Sequence, residues 1–81
     1  MSPVQCKMAR AAVGLSVVQL AQLAGVNKNT VVNFESGRDA YASTATKLRD
    51  AFLGTGLIRF EGDGGVYYLG RLVTADDEQR G

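Results

Sequence analysis

The chain has 81 residues, a net charge of +1, no histidine and a single cysteine. A domain of this length has a marginal core, for which self-association is a common remedy. Lone Cys6 makes no internal disulfide, builds no zinc site without histidine, and fits a reducing cytoplasm. No apolar run approaches the roughly 20 residues of a membrane span. The opening residues do not read as a signal peptide, and no acid–base or nucleophile–base pair stands out. Neither a membrane protein nor an enzyme is expected, and no metal or cofactor.

The charge is unevenly spread. Residues 1–60 hold seven basic and three acidic side chains, a net +4, whereas residues 61–81 hold two basic and five acidic ones, a net −3. A basic body with an acidic end admits a polyanionic partner despite the near-neutral total.

In chain order, Ser2 can cap a helix with Pro3 at its first position. Val4, Met8, Ala11 and Ala12 recur at helical spacing and are the expected inner face, and Gly14 ends the helix. Cys6 reads as a small packing residue. Ser16 then caps a second helix, with Gln19 completing an S-x-x-Q capping box and Leu15 and Leu20 placed to form a hydrophobic staple. Its expected buried stripe is Leu20, Leu23 and Ala24, with Val17 and Ala21 beside it. Gly25 permits the left-handed conformation that stops a helix, and Asn27 caps the next at once. This third helix runs from about Lys28 to Ser36 and stops at Gly37. Two helices joined by so short a glycine-containing turn make a helix-turn-helix.

Val31 and Phe34 are the expected inner face of the third helix, leaving Lys28, Asn29, Val32, Asn33 and Ser36 outside. Lysine can donate to the O6 and N7 acceptors of guanine, asparagine can bond adenine N6 and N7 together, and an apolar tip such as Val32 can touch a thymine methyl. The blander alternative is that these polar residues merely solvate an exposed helix. Thr30, at the third helical position, reads as either structural or a contact.

Leu20-Ala21, Gly25-Val26, Thr30-Val31, Phe34-Glu35 and Gly37 together resemble the DNA-binding domain of the Cro and lambdoid phage repressor family, the Xre-type helix-turn-helix. The resemblance covers roughly Lys7 to Phe52. It implies that the third helix enters the major groove, with Lys28, Asn29, Thr30, Val32 and Asn33 as base contacts. It implies phosphate contacts from the loop that follows, with Arg38 the best candidate and Ser36 second. Tyr41 is either a backbone contact or packs on the next helix. Arg10 and Lys47 are further phosphate candidates, with a solvated charge as the alternative for each. The resemblance also pairs Arg10 with Glu35. The family usually has glutamine directly after the serine cap, where it touches a phosphate; here Val17 stands there and cannot.

Ser43 or Thr44 is expected to cap a fourth helix through Leu53, with Ala45, Leu48, Ala51 and Phe52 inside. Beyond Gly54-Thr55-Gly56 the chain leaves the repressor pattern. Residues 57–61 and 66–69 alternate with period two and are rich in β-formers, and Asp63-Gly64 between them signals a two-residue type I′ turn. That register sets Phe60 opposite Tyr67 and Ile58 opposite Leu69 on one apolar face. From Gly70 onward the chain reads as frayed.

The expectation is thus a mainly α chain: a four-helix, lambda-repressor-like helix-turn-helix domain over residues 1–56, a C-terminal β-hairpin over 57–73 that dimerises through Ile58, Phe60, Tyr67 and Leu69, and an acidic flexible tail over 74–81. The expected partners are double-stranded DNA and a second copy of the chain, with a regulatory protein as a further option and no small-molecule effector. The expected role is a cytoplasmic repressor of bacterial or mobile-element origin. The rivals are an excisionase-like architectural factor that uses the hairpin as a wing, and an antitoxin-type interaction module.

Overall fold

Local capping chemistry sets the helices. The computed structural model describes residues 1–39 and 41–73. Helix α1 (Pro3–Val13) opens on a complete capping box: Ser2 Oγ accepts from the Gln5 backbone N–H at 3.2 Å, and Gln5 Oε1 accepts from the Ser2 N–H at 2.8 Å. Helix α2 (Val17–Ala24) opens on the same device, with Ser16 and Gln19 bonded at 3.1 and 2.9 Å. Both helices end on a left-handed glycine, Gly14 and Gly25, and the next N–H reaches back five residues, Leu15 to Arg10 and Val26 to Ala21. These bonds satisfy carbonyls that a helix end otherwise leaves bare. Helix α3 (Lys28–Glu35) starts where Asn27 Oδ1 accepts from the Asn29 N–H at 2.8 Å.

Helix α4 (Ala42–Gly54) begins earlier than expected, with Tyr41 at its N-cap and no side-chain cap bond. Asp39 Oδ1 accepts from the Tyr41 N–H at 2.9 Å. That turn holds Tyr41 extended and lets the helix start one to two residues ahead of Ser43 and Thr44. Thr44 lies buried on the inner face instead.

Two inner faces are rotated from the expected ones. In α1 the buried residues are Gln5, Cys6, Met8 and Ala9, and Val4 is 55% exposed. The stripe they define lies about 120° round the helix from Val4. In α2 the inward stripe is Val17, Leu20, Ala21 and Ala24, the i, i+3, i+4, i+7 set, and Leu23 is 57% exposed. Leu23 sits about 110° from the centre of that stripe. Leu48 and Phe52 of α4, with Val31 and Phe34 of α3, complete the helical part of the core.

After the helices come three short strands, β1 (Ile58–Glu61), β2 (Gly65–Tyr68) and β3 (Arg71–Val73), in an antiparallel sheet of order β1-β2-β3. The register is one residue from the expected one: Phe60 faces Val66, Ile58 faces Tyr68 and Glu61 faces Gly65. The connection is therefore the three residues Gly62-Asp63-Gly64 rather than a two-residue turn. A one-residue slip exchanges the faces of a strand, so Val66 and Tyr68 turn inward with Ile58 and Phe60, and Tyr67 turns outward beside Arg59. Two features fix this register. A Cβ at position 65 would lie 2.7 Å from the Glu61 carbonyl oxygen, so only glycine fits there. The buried Gln5 side chain also donates through Nε2 to the carbonyls of Gly62 (2.8 Å) and Gly65 (2.9 Å), while Ser2 Oγ donates to that of Asp63.

Strand β3 falls in the stretch expected to fray. Leu69 and Gly70 both adopt positive φ, 52° and 81°, the signature of a two-residue type I′ turn, and return the chain along β2. Leucine is uncommon in that conformation, and nothing in a Leu-Gly pair advertises it. The sheet packs on α1 and α4. Ile58, 6% exposed, and the fully buried Val66 belong to the common core, and Phe60 meets Phe52 edge-on at 6.0 Å. Ile58 and Phe60 are therefore not an external dimer face. The acidic segment 74–81 lies outside the described residues.

Candidate nucleic-acid interface

The inward side of α3 is fixed by Val31 and Phe34 in the core and by Glu35, which is buried against α1. Arg10 Nε and Nη2 donate to the two carboxylate oxygens of Glu35 at 3.0 and 3.1 Å, and Arg10 Nη1 donates to the Leu15 carbonyl at 3.3 Å. The Cys6 thiol donates to Glu35 Oε2 at 3.3 Å. Burial, reinforced by the Glu35 carboxylate, pushes the Cys6 thiol far above its ordinary value. The carboxylate thus gathers a guanidinium and a thiol, and the end of α3 is tied to α1.

All three guanidinium nitrogens of Arg10 are engaged inside the fold. The pairing of Arg10 with Glu35 that the resemblance implies is thus present in the structure.

The opposite side of α3 is open. Lys28, Asn29, Val32 and Asn33 are exposed, and Thr30 is half-buried. Asn33 lies one turn beyond Asn29, as Val32 does beyond Lys28, so the four form one compact face. The side chains of Lys28, Asn29 and Asn33 have no hydrogen-bond partner among the described residues. Their donors and acceptors are held ready rather than used.

The segment after α3 is ordered by one carbonyl. Asn33 O accepts from the Ser36 hydroxyl at 3.0 Å and from the Arg38 and Asp39 N–H groups at 2.8 and 3.2 Å, with Gly37 at φ 80° making the bend. Ser36 thereby spends its hydroxyl proton internally and keeps only acceptor capacity, which weakens it as a phosphate donor. Arg38 and Tyr41 are exposed on this segment. Lys47 is exposed on α4, a different element, in line with Ser43, Thr46 and Asp50. On the sheet, the Arg59 guanidinium lies 4.5 Å over the Tyr67 ring.

Gln5 was missed by sequence reasoning. The signal was present, since Ser2-Pro3-Val4-Gln5 repeats the S-x-x-Q pattern of Ser16 to Gln19. Its second task, holding the loop at 62–65, has no local signal.

Among the described residues no helix is long and apolar enough to cross a membrane. Comparison with protein-family models, with curated proteins and with solved structures finds no match to this chain.

Proposed function

We propose that this chain is a sequence-specific DNA-binding regulator of transcription, a small repressor that binds a palindromic operator as a homodimer and uses α2 and α3 as a helix-turn-helix. The observation that carries the reading is the contrast between the two sides of α3. One side is locked by Val31, Phe34 and the Arg10–Glu35 pair. The other presents Lys28, Asn29 and Asn33 with no side-chain hydrogen-bond partner among the described residues. A rigid helix with free, planar amide groups one turn apart suits base-edge readout in the major groove.

In this reading Lys28 donates to guanine acceptors, Asn29 and Asn33 pair with adenine edges, and Val32 meets a thymine methyl. Arg38, on the segment braced by the Asn33 carbonyl, neutralises a phosphate and supplies salt-dependent affinity without sequence preference. Repression is steric: the bound protein covers a promoter. Use of the sheet as a DNA wing finds less support, because it packs on α1 and α4 and Arg59 is stacked on Tyr67.

The test is enrichment of bound fragments from a genomic or randomised duplex pool at physiological salt. The reading expects a consensus with dyad symmetry and half-sites one helical turn, about 34 Å, apart. Recovery of no DNA above background would overturn it.

A further inference from the structure

We propose that Asp63 is a covalent modification site, at which the folded chain converts spontaneously to an isoaspartyl linkage, and that the conversion releases the sheet connection from α1.

Asp63-Gly64 is the one place in the chain where aspartate or asparagine precedes glycine. It lies in the connection between β1 and β2, outside the strand ladder. Asp63 is exposed. Its carboxylate and the Gly64 N–H have no hydrogen-bond partner among the described residues. A Cβ added at position 64 would meet nothing within 4 Å. The two groups that react are thus adjacent, uncommitted and in open space, and glycine offers its nitrogen with no side chain in the way. Ring closure needs rotation about the bonds of Asp63 alone and no movement of the core.

The Gly64 nitrogen attacks the Asp63 carboxyl carbon. An N–Cγ bond forms, the Cγ–OH bond breaks, the nitrogen gives up its proton and one water leaves, closing a succinimide. Water then adds to a carbonyl of that ring. Attack at Cγ restores aspartate. Attack at the main-chain carbonyl breaks its bond to nitrogen, so the chain runs through Cβ and Cγ and the former main-chain carbonyl becomes a free carboxylate. One water leaves and one returns, and no oxidant or cofactor is needed.

The connection has no slack for the product. The backbone between Asp63 Cα and Gly64 N gains one atom. Gln5 Nε2 donates to the carbonyls of Gly62 and Gly65 at 2.8 and 2.9 Å, on either side of that atom. Ser2 Oγ donates to the very carbonyl that becomes a carboxylate. Gly65 already lies so close to Glu61 that a Cβ there would stand 2.7 Å from the Glu61 carbonyl oxygen. The lengthened connection cannot keep all of these contacts, so α1 loses its hold on it.

The experiment ages the full chain at neutral pH and physiological temperature in labelled water, without DNA. Isoaspartate is read as heavy-oxygen uptake, as methyl transfer to the new carboxylate by protein L-isoaspartate methyltransferase, and as the diagnostic fragments of the 58–68 peptide. Conversion is expected at Asp63 in protein that remains folded, and to a far smaller extent at Asp39 and Asp50, each followed by alanine. Gly64→Ala should slow it severalfold while leaving the fold intact, because position 64 has open space and no left-handed φ. Asp63→Glu, which would have to close a larger ring, should abolish it. The converted fraction, separated by chromatography, should show faster amide exchange at residues 61–66 than unconverted protein. A folded chain that gains no isoaspartate at Asp63 while a synthetic 58–68 peptide converts would overturn the proposal. So would Gly64→Ala converting as fast as wild type, or a converted fraction with unchanged exchange at 61–66.

Discussion

Arg10 and Glu35 lie 25 positions apart in the chain and meet side-on, Nε to Oε2 at 3.0 Å and Nη2 to Oε1 at 3.1 Å, so that the first helix holds the last turn of the third. Two parallel charge-assisted bonds fix orientation as well as distance. The Glu35 side chain is 8% exposed and that of Arg10 26%, so the pair is partly desolvated. Its attraction is offset in part by that desolvation, but loss of one partner strands the other.

Replacing Arg10 or Glu35 singly with an apolar residue should therefore cost roughly 2–3 kcal/mol of unfolding free energy, and replacing both should cost less than the sum. Urea unfolding of the four proteins of a double-mutant cycle measures this. Additive losses would mean that the pair does not couple α1 to α3.

Gln5 links the helices to the sheet as Arg10 links helix to helix. Its Nε2 donates to three carbonyls of the 61–65 connection, at 2.8, 2.9 and 3.4 Å, while its Oε1 serves the α1 cap. Gln5→Leu removes both functions and should destabilise the fold by about 2–4 kcal/mol through unpaired buried groups. Gln5→Glu keeps the capping acceptor but turns an anion on those carbonyls, and should be at least as damaging. Amide hydrogen exchange should then speed up first at residues 61–66. Gln5→Glu with full wild-type stability would remove the clamp from the account.

Cys6 gives a pH prediction with a definite sign. Its ordinary ionisation lies at 9.0, and in the fold burial and the Glu35 carboxylate raise it well beyond that. A raised thiol keeps its proton in the native state after the unfolded chain has lost it. Its contribution is thus complete below pH 9 and falls as pH rises above 9 towards the folded value, at a slope approaching about 1.4 kcal/mol per pH unit. The difference between wild type and Cys6→Ala isolates this slope from tyrosine and lysine titration. Thiol reagents should leave the native protein unmodified at pH 8 and react on unfolding; rapid native labelling would contradict the buried Cys6–Glu35 bond.

How much could be read in advance depended on where each signal resides. The bounds of α2 and the start of α3 follow from Ser16, Gln19, Gly25 and Asn27, all acting within a few residues, and the open side of α3 follows from the spacing of Val31 and Phe34. The sheet register did not follow, because Gln5 and Ser2, some sixty positions upstream, hold the 62–65 connection open. β3 was missed because Leu69 takes a left-handed conformation that its side chain does not favour. The inner faces of α1 and α2 were misplaced because large residues, Val4 and Leu23, were counted inward, whereas Gln5, Ala9 and Ala21 are what the neighbours accommodate.

The central claim is that the open face of α3 reads bases, and selection from a randomised duplex pool with wild type and with Lys28→Ala, Asn29→Ala and Asn33→Ala tests it most directly. Each substitution should relax preference at one or two base pairs in each half-site and cost roughly 1–3 kcal/mol on the wild-type consensus. Arg38→Ala should instead weaken every sequence alike and lower the salt slope by about one. A selected consensus left unchanged by both Asn29→Ala and Asn33→Ala would contradict the account.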